Sequence, residues 1–210
     1  MPGVSGPVWT IIVAGGSGAR FGDRKQFLHL GGQRVLDWAL AAAGQHTDGT
    51  VLVVPADAAG EAEVGVAAVV AGGPTRSSSV RAGLAAVPAA AEVIVVHDAA
   101  RPVPVPAVWD RVLAAVAAGA DAAVPAVPVT DTLREIGGAT VDRARFVAVQ
   151  TPQAFAAEAL REAHRDEPDG TDDASLVEAR GGRVVVVDGD PTNVKITNPV
   201  DLALAELLCR

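Results

Sequence analysis

A short apolar run, Val8-Trp9-Thr10-Ile11-Ile12-Val13, empties directly into Ala14-Gly15-Gly16-Ser17-Gly18-Ala19-Arg20-Phe21-Gly22-Asp23-Arg24-Lys25. The run is brief, rich in branched residues and bounded by glycine, which predicts a buried strand. A strand that ends in glycines presents consecutive backbone N–H groups with no side chains in the way. Such a turn can wrap an anion, and a phosphate is the usual guest. Arg20 and Lys25 add two positive charges at the same mouth. Two better-known phosphate loops do not fit. The dinucleotide pattern G-x-G-x-x-G fails because Gly16 and Gly18 are followed by Phe21, and no run ends in Gly-Lys-Ser/Thr as a P-loop requires.

Downstream, apolar runs alternate with helical patterns. Strands are expected at Thr50–Val54, Val66–Val70, Glu92–His97, Ala122–Val127 and Arg183–Val187, with Asn193–Thr197 short and edge-like. Helices are expected at Val35–Gln45, Ser77–Ala86, Pro106–Gly119, Ala156–His164, Asp173–Ala179 and Pro199–Leu208. Alternation with near-continuous apolar strands implies an open, mostly parallel sheet covered by helices on both faces. Ligands of such sheets bind at the carboxyl ends of the strands. The glycine loop, Gly72-Gly73 and Asp98–Arg101 all fall at that edge. The alternation breaks at Val129, where two extended stretches flank Gly137-Gly138 and predict a β-hairpin. An isolated hairpin is unstable in water, so this arm is expected to pack on something, such as a second subunit.

Composition narrows the chemistry. The 210 residues fit one domain, residues 1–210, with the arm at about 129–150. Seventeen basic against twenty-five acidic residues give a net charge of −8, which argues against non-specific nucleic-acid binding. Scarce aromatics, with no tyrosine, argue against base-stacking platforms. The single cysteine, Cys209, allows no internal disulfide, and no Cys/His spacing suggests zinc. There is no long apolar span and no charged start followed by an apolar core, so a cytoplasmic protein without a membrane partner is expected.

The glycine loop resembles the nucleotidyltransferase signature A-G-G-x-G-x-R with a following lysine. Further pieces resemble one family in order along nearly the whole chain. They are Gln26-Phe27, Gly72-Gly73 with Arg76, Ser79 and Val80, Val96–Pro102, Pro128–Thr132, Val141-Asp142-Arg143, Gln150–Phe155, Thr171–Ser175 and Asn193–Thr197. The family is the 2-C-methyl-D-erythritol 4-phosphate cytidylyltransferases. The resemblance implies a Rossmann-like nucleotidyltransferase fold with a protruding β-hairpin arm. The implied reaction joins CTP to a polyol phosphate with loss of pyrophosphate, in isoprenoid precursor synthesis, with Mg2+ bridging the triphosphate and a homodimer formed through the arm.

By the same resemblance, Arg20 and Lys25 stabilise the transition state at the α-phosphate. Arg143 and Lys195 position the substrate phosphate, Asp98 and Arg101 lie by the polyol, and Thr132 and Thr151 are further contacts. Thr132 and Arg143, on the arm, would act in the neighbouring subunit. Ala14, Gly15, Gly16, Gly18, Gly73, Ser79 and Ala99 match the CTP contacts. No metal ligand is assigned. Arg24 stands where the family usually has proline, and the Arg20–Lys25 gap is short, so Arg24 and Lys25 both remain candidates for the loop's lysine role. A ribitol 5-phosphate cytidylyltransferase shares the motifs and remains open, as does a catalytically weak nucleotide-binding homologue. His97 is expected to pack or hydrogen bond, because a phosphate nucleophile needs no proton shuttle. Asp172-Asp173 reads as a helix cap.

Overall fold

The computed structural model describes residues 6–16 and 24–209. Strand β1 (Val8–Val13) leads past the glycine turn to a small hairpin, β2 (His29–Leu30) and β3 (Gln33–Arg34). Gly31 and Gly32 turn this hairpin with φ of 59° and 90°, values that only glycine adopts freely. Helix α1 (Val35–His46) and strand β4 (Gly49–Val54) follow. Then come β5 (Ala68–Ala71), α2 (Arg76–Ala86), β6 (Val93–Asp98), α3 (Pro106–Ala117) and β7 (Ala122–Pro128). The remainder is β8 (Val147–Val149), β9 (Gln153–Ala156), α4 (Ala157–Ala163), α5 (Asp173–Ala179), β10 (Val184–Asp188) and α6 (Pro199–Leu208).

The main sheet has the order β10-β7-β9-β6-β1-β4-β5, with β8 paired to β7. β1 is central and parallel to both neighbours, in register Ile12↔Leu52 and Ile12↔His97. Its side chains alternate between two cores. Val8 and Ile12 pack with α1 and α3 through Leu36, Ala39, Trp109 and Val112. Ile11 packs the other way, with Val80 of α2, Leu160 of α4 and Val177 of α5. This period of two, with apolar residues on both faces, is what a covered parallel sheet demands.

Three features differ from the sequence expectation. Gln153–Ala156 is a strand rather than the approach to a helix, and it lies antiparallel between β6 and β7. Four residues are too few to show a period, yet Phe155 is fully buried there. β5 and β10 are the two sheet edges and are only partly buried, so an apolar run alone did not distinguish edge from centre. The segment 193–197 is a loop, not an edge strand. The arm is a narrow hairpin closed by the single bridge Arg134↔Thr140, turned at Gly137 (φ 74°), with Ile136 fully exposed at its tip. Among the described residues no helix is long and apolar enough to cross a membrane.

Candidate active site

β4 and β6 lie on opposite sides of β1, so the winding of the sheet reverses there and opens a crevice at the strands' carboxyl ends. Three loops meet in it. β1 opens into Ala14–Gly16, β5 into Gly72-Gly73, and β6 into Ala99–Arg101. Small residues allow the approach. A Cβ on Gly72 would lie 2.9 Å from the Ser79 hydroxyl, and one on Gly15 would already touch it at 3.4 Å. Ser79, early in α2, accepts the Gly73 N–H at 3.2 Å and donates to the Thr75 carbonyl at 2.9 Å. Buried Gln26 donates to the carbonyls of Ala14 (2.8 Å) and Gly16 (3.3 Å), which pins the glycine turn from behind.

The result is a cavity of about 520 Å³. Ala14, Gly15, Gly16, Gly73, Ser79 and Ala99, all expected from the sequence to meet a nucleotide, line it. Gly18 and Arg20 lie outside the described residues. Lys25 lines the cavity, and its ammonium donates to the Ile196 carbonyl. Arg24 instead pairs with Asp57 at 2.6 Å and lines a different cavity of about 280 Å³ behind the loop. Position therefore favours Lys25 over Arg24 as the loop's cation at the crevice.

A second cavity of about 260 Å³ adjoins the first, and Arg76, Asp98 and Lys195 line both. Arg101 and Thr151 line only the second, which also reaches Thr171 and Asp172. Lys195 donates to Asp98 at 2.5 Å, and the Arg76 guanidinium stands 3.6 Å from the other Asp98 oxygen. Burial alone would push the Asp98 carboxyl up, but Lys195 and Arg76 outweigh it and hold the group well below the usual carboxylate range. Arg101 is buried and gives one guanidinium nitrogen to the Asn193 carbonyl at 2.6 Å. Burial lowers its affinity for its proton, with Asp98 opposing.

Polar side chains fix the loop that carries Lys195. Asn193 donates to the Thr151 carbonyl at 2.9 Å, and the Ile196 N–H donates to the Ala100 carbonyl at 2.8 Å. The Thr151 hydroxyl accepts the Asp98 N–H at 3.1 Å. It also meets His97 Nδ1 at 3.1 Å, while His97 Nε2 faces the Arg101 carbonyl at 3.3 Å. A carbonyl can only accept, so Nε2 carries the proton and Nδ1 accepts from Thr151. Burial pushes the His97 pKa down to about 4, so the imidazole is neutral at pH 7. The histidine braces the wall, as the sequence reading expects.

Thr132 and Arg143 are not brought to either cavity within this chain. Both are exposed on the arm, where Arg143 donates to the Thr130 carbonyl and lines a surface hollow with Phe146 and Val147. Asp172 caps α5 by accepting the Ser175 N–H at 3.0 Å. Asp173 is no cap but a fully buried ion-pair partner of Arg76. Arg76, Gln26 and Asn193 had been given no role. The sequence traces of Arg76's part are its membership of the piece Gly72-Gly73 with Arg76, Ser79 and Val80, and its place one helical turn before Ser79 at the start of α2. Among the described residues no group of three His, Cys, Asp or Glu side chains could hold a metal ion.

The model of the family described as 2-C-methyl-D-erythritol 4-phosphate cytidylyltransferase matches residues 8–210. A protein of that name from Nocardia farcinica is 44% identical over 97% of this chain and 94% of its own length. A bifunctional enzyme, IspD/IspF, of Solidesulfovibrio magneticus is 42% identical over 95% of this chain but only 56% of that protein. Among solved structures, the 2-C-methyl-D-erythritol 4-phosphate cytidylyltransferase of Thermus thermophilus superposes with a TM-score of 0.82 at 40% identity, covering 96% of this chain and 98% of that one.

Proposed function

The chain belongs to the 2-C-methyl-D-erythritol 4-phosphate cytidylyltransferase family, and we propose that its two adjoining cavities divide the two substrates of that reaction. It is a cytidylyltransferase that transfers CMP from CTP to 2-C-methyl-D-erythritol 4-phosphate. The products are 4-diphosphocytidyl-2-C-methyl-D-erythritol and pyrophosphate, in non-mevalonate isoprenoid precursor synthesis. The observation that supports the division is the shared wall of Arg76, Asp98 and Lys195 between a glycine-lined cavity and a smaller polar one.

In this reading CTP lies in the larger cavity against Ala14, Gly15, Gly16, Gly73, Ser79 and Ala99, and the family resemblance adds Gly18 to its contacts. The polyol phosphate lies in the smaller one, by Asp98, Arg101, Thr151 and Lys195. A phosphate monoester has a second pKa of about 6, so the nucleophile is already ionised at neutral pH and needs no base. One phosphate oxygen attacks the α-phosphorus in line, and the bond to pyrophosphate breaks. The protein's task is to hold two anions together and stabilise the charge that builds up. Arg20 and Lys25 do so at the α-phosphate, and Lys195 aligns the nucleophile. Lys25, Arg76 and Lys195 line the larger cavity together with the glycines, which suits a triphosphate anion. Among the described residues that line it, the one carboxylate, Asp98, is committed to Lys195. Mg2+ bound with the triphosphate would supply neutralising charge for the departing pyrophosphate, and among the described residues no carboxylate cluster would hold it apart from the nucleotide.

The whole chain, 1–210, acts as one domain in the cytoplasm. The arm at about 129–150 reaches a second copy, placing Thr132 and Arg143 at the neighbour's smaller cavity. Exposed Ile136, Phe146, Val147 and Val149 support that reading, because an apolar face of this kind needs a cover. Pyrophosphate release from CTP and Mg2+, with 2-C-methyl-D-erythritol 4-phosphate and ribitol 5-phosphate side by side, tests the function. Preference for the former is expected, and preference for the latter overturns the substrate assignment. Mixed dimers of Arg143→Ala and Lys25→Ala subunits should regain activity if the arm acts across the interface, whereas no recovery would place it within one subunit.

A further inference from the structure

Behind Arg76 of the shared wall lie two buried side chains, Asp173 and His164, that line neither cavity. Asp173, at the start of α5, has no solvent exposure. One of its oxygens takes Arg76 Nη1 at 2.6 Å and the other takes His164 Nε2 at 3.0 Å. His164 is itself buried, just past the C-terminal end of α4. Arg76 thus sits between two carboxylates, bonded to Asp173 and standing 3.6 Å from Asp98, beyond hydrogen-bond reach. Asp98 keeps its other oxygen on Lys195 at 2.5 Å. A guanidinium pairs best with a carboxylate in bidentate fashion, and its bond to Asp173 holds Arg76 short of Asp98.

We propose that Asp173 is a positioning residue that holds Arg76 out of the Asp98–Lys195 pair and so sets the affinity for the polyol phosphate. The inference rests on the assignment of the smaller cavity to that substrate. Released from Asp173, Arg76 is left with Asp98 as its stronger carboxylate neighbour and Asp172 as the weaker one. It rotates onto Asp98, draws it off Lys195 and narrows the smaller cavity at its wall. Arg76 and Asp98 also line the larger cavity, but the glycine turn and Gly73, which form the rest of its wall, are left in place by this movement. The effect therefore falls mainly on the polyol phosphate.

The test is steady-state pyrophosphate release by the full chain, with each substrate varied in turn, for wild type, Asp173→Asn and the double variant Asp173→Asn/Arg76→Gln. Asp173→Asn is expected to raise KM for the polyol phosphate about tenfold while KM for CTP stays within about twofold. The double variant removes the released guanidinium and is expected to recover about fivefold of that loss, a coupling that a purely structural role does not produce. Equal rises in both KM values, or a double variant no better than the single one, overturn the proposal. If Asp173→Asn yields no folded protein, Asp173→Glu replaces it. The longer side chain pushes Arg76 toward Asp98 and should raise KM for the polyol phosphate about threefold, and an unchanged KM overturns the proposal. Failure of the wild type to turn over the polyol phosphate would instead count against the assigned function, which keeps the two failures apart.

Discussion

His97 makes the stability of this protein depend on pH in a window where its carboxylates are silent. The ring is almost completely buried, donates from Nε2 toward Arg101 and accepts at Nδ1 from Thr151. A proton at Nδ1 would remove that acceptor and place charge near Arg101 and Lys195, both of which act against it. Burial is the larger cause, and together they lower the pKa from 6.5 to about 4. Because the folded value lies below the unfolded one, the unfolded chain takes up the proton first as pH falls. Stability is complete above about pH 6.5 and is lost as pH drops toward about 4. From pH 7.5 to pH 5 the linkage gives a loss of about 2 kcal/mol from this group alone. Carboxylates stay ionised in both states over that range. His46 shifts in the same direction through burial, but it is present in any His97 variant. The assay is urea unfolding of wild type and His97→Asn at both pH values. Asn keeps an acceptor for Thr151 but does not titrate. The wild type should lose about 2 kcal/mol more than the variant between the two conditions. Equal losses would show that His97 does not carry a depressed pKa, and the argument from burial and tautomer would fall.

Other outcomes follow from single contacts. Lys25→Ala should lower kcat by about 10²- to 10³-fold, the scale of one preorganised transition-state donor, whereas Arg24→Ala, which loses an exposed ion pair with Asp57, should stay within about threefold. A fall with Arg24→Ala as large as that with Lys25→Ala would reverse their assignment. Gly83→Ala puts a methyl 2.5 Å from Ile11 Cγ2, and overpacking of this kind should cost about 1–3 kcal/mol in denaturant unfolding despite the better helix propensity. Cys209 is buried, with burial raising its thiol pKa to about 11, so a thiol reagent at neutral pH should label it only as the C-terminal helix opens. Labelling as fast as that of a free thiol would show that α6 is not held against the body.

The order of elements was legible because each strand and helix announces itself locally. Val8–Val13 is a branched run stopped by glycine, and Pro106–Ala117 begins with proline in its first turn. The glycine-lined side of the crevice was legible for a similar reason, since glycine spacing records where backbone must come close. Chain order could not show which residues lie behind that surface. Phe155 belongs to a four-residue strand whose character comes from lying antiparallel between β6 and β7. Arg24 and Lys25 are adjacent in sequence, yet they face different cavities. Asp173, read locally as part of a cap, lies next to Asp172 but is turned inward to Arg76, whose helix begins 97 residues earlier. A periodic pattern reports the burial of a face, which is a short-range property of helix or strand geometry. The pairing of charges is settled only when distant segments are packed against each other in low dielectric, so the glycine cradle was a property of the sequence and the charged wall is a property of the fold.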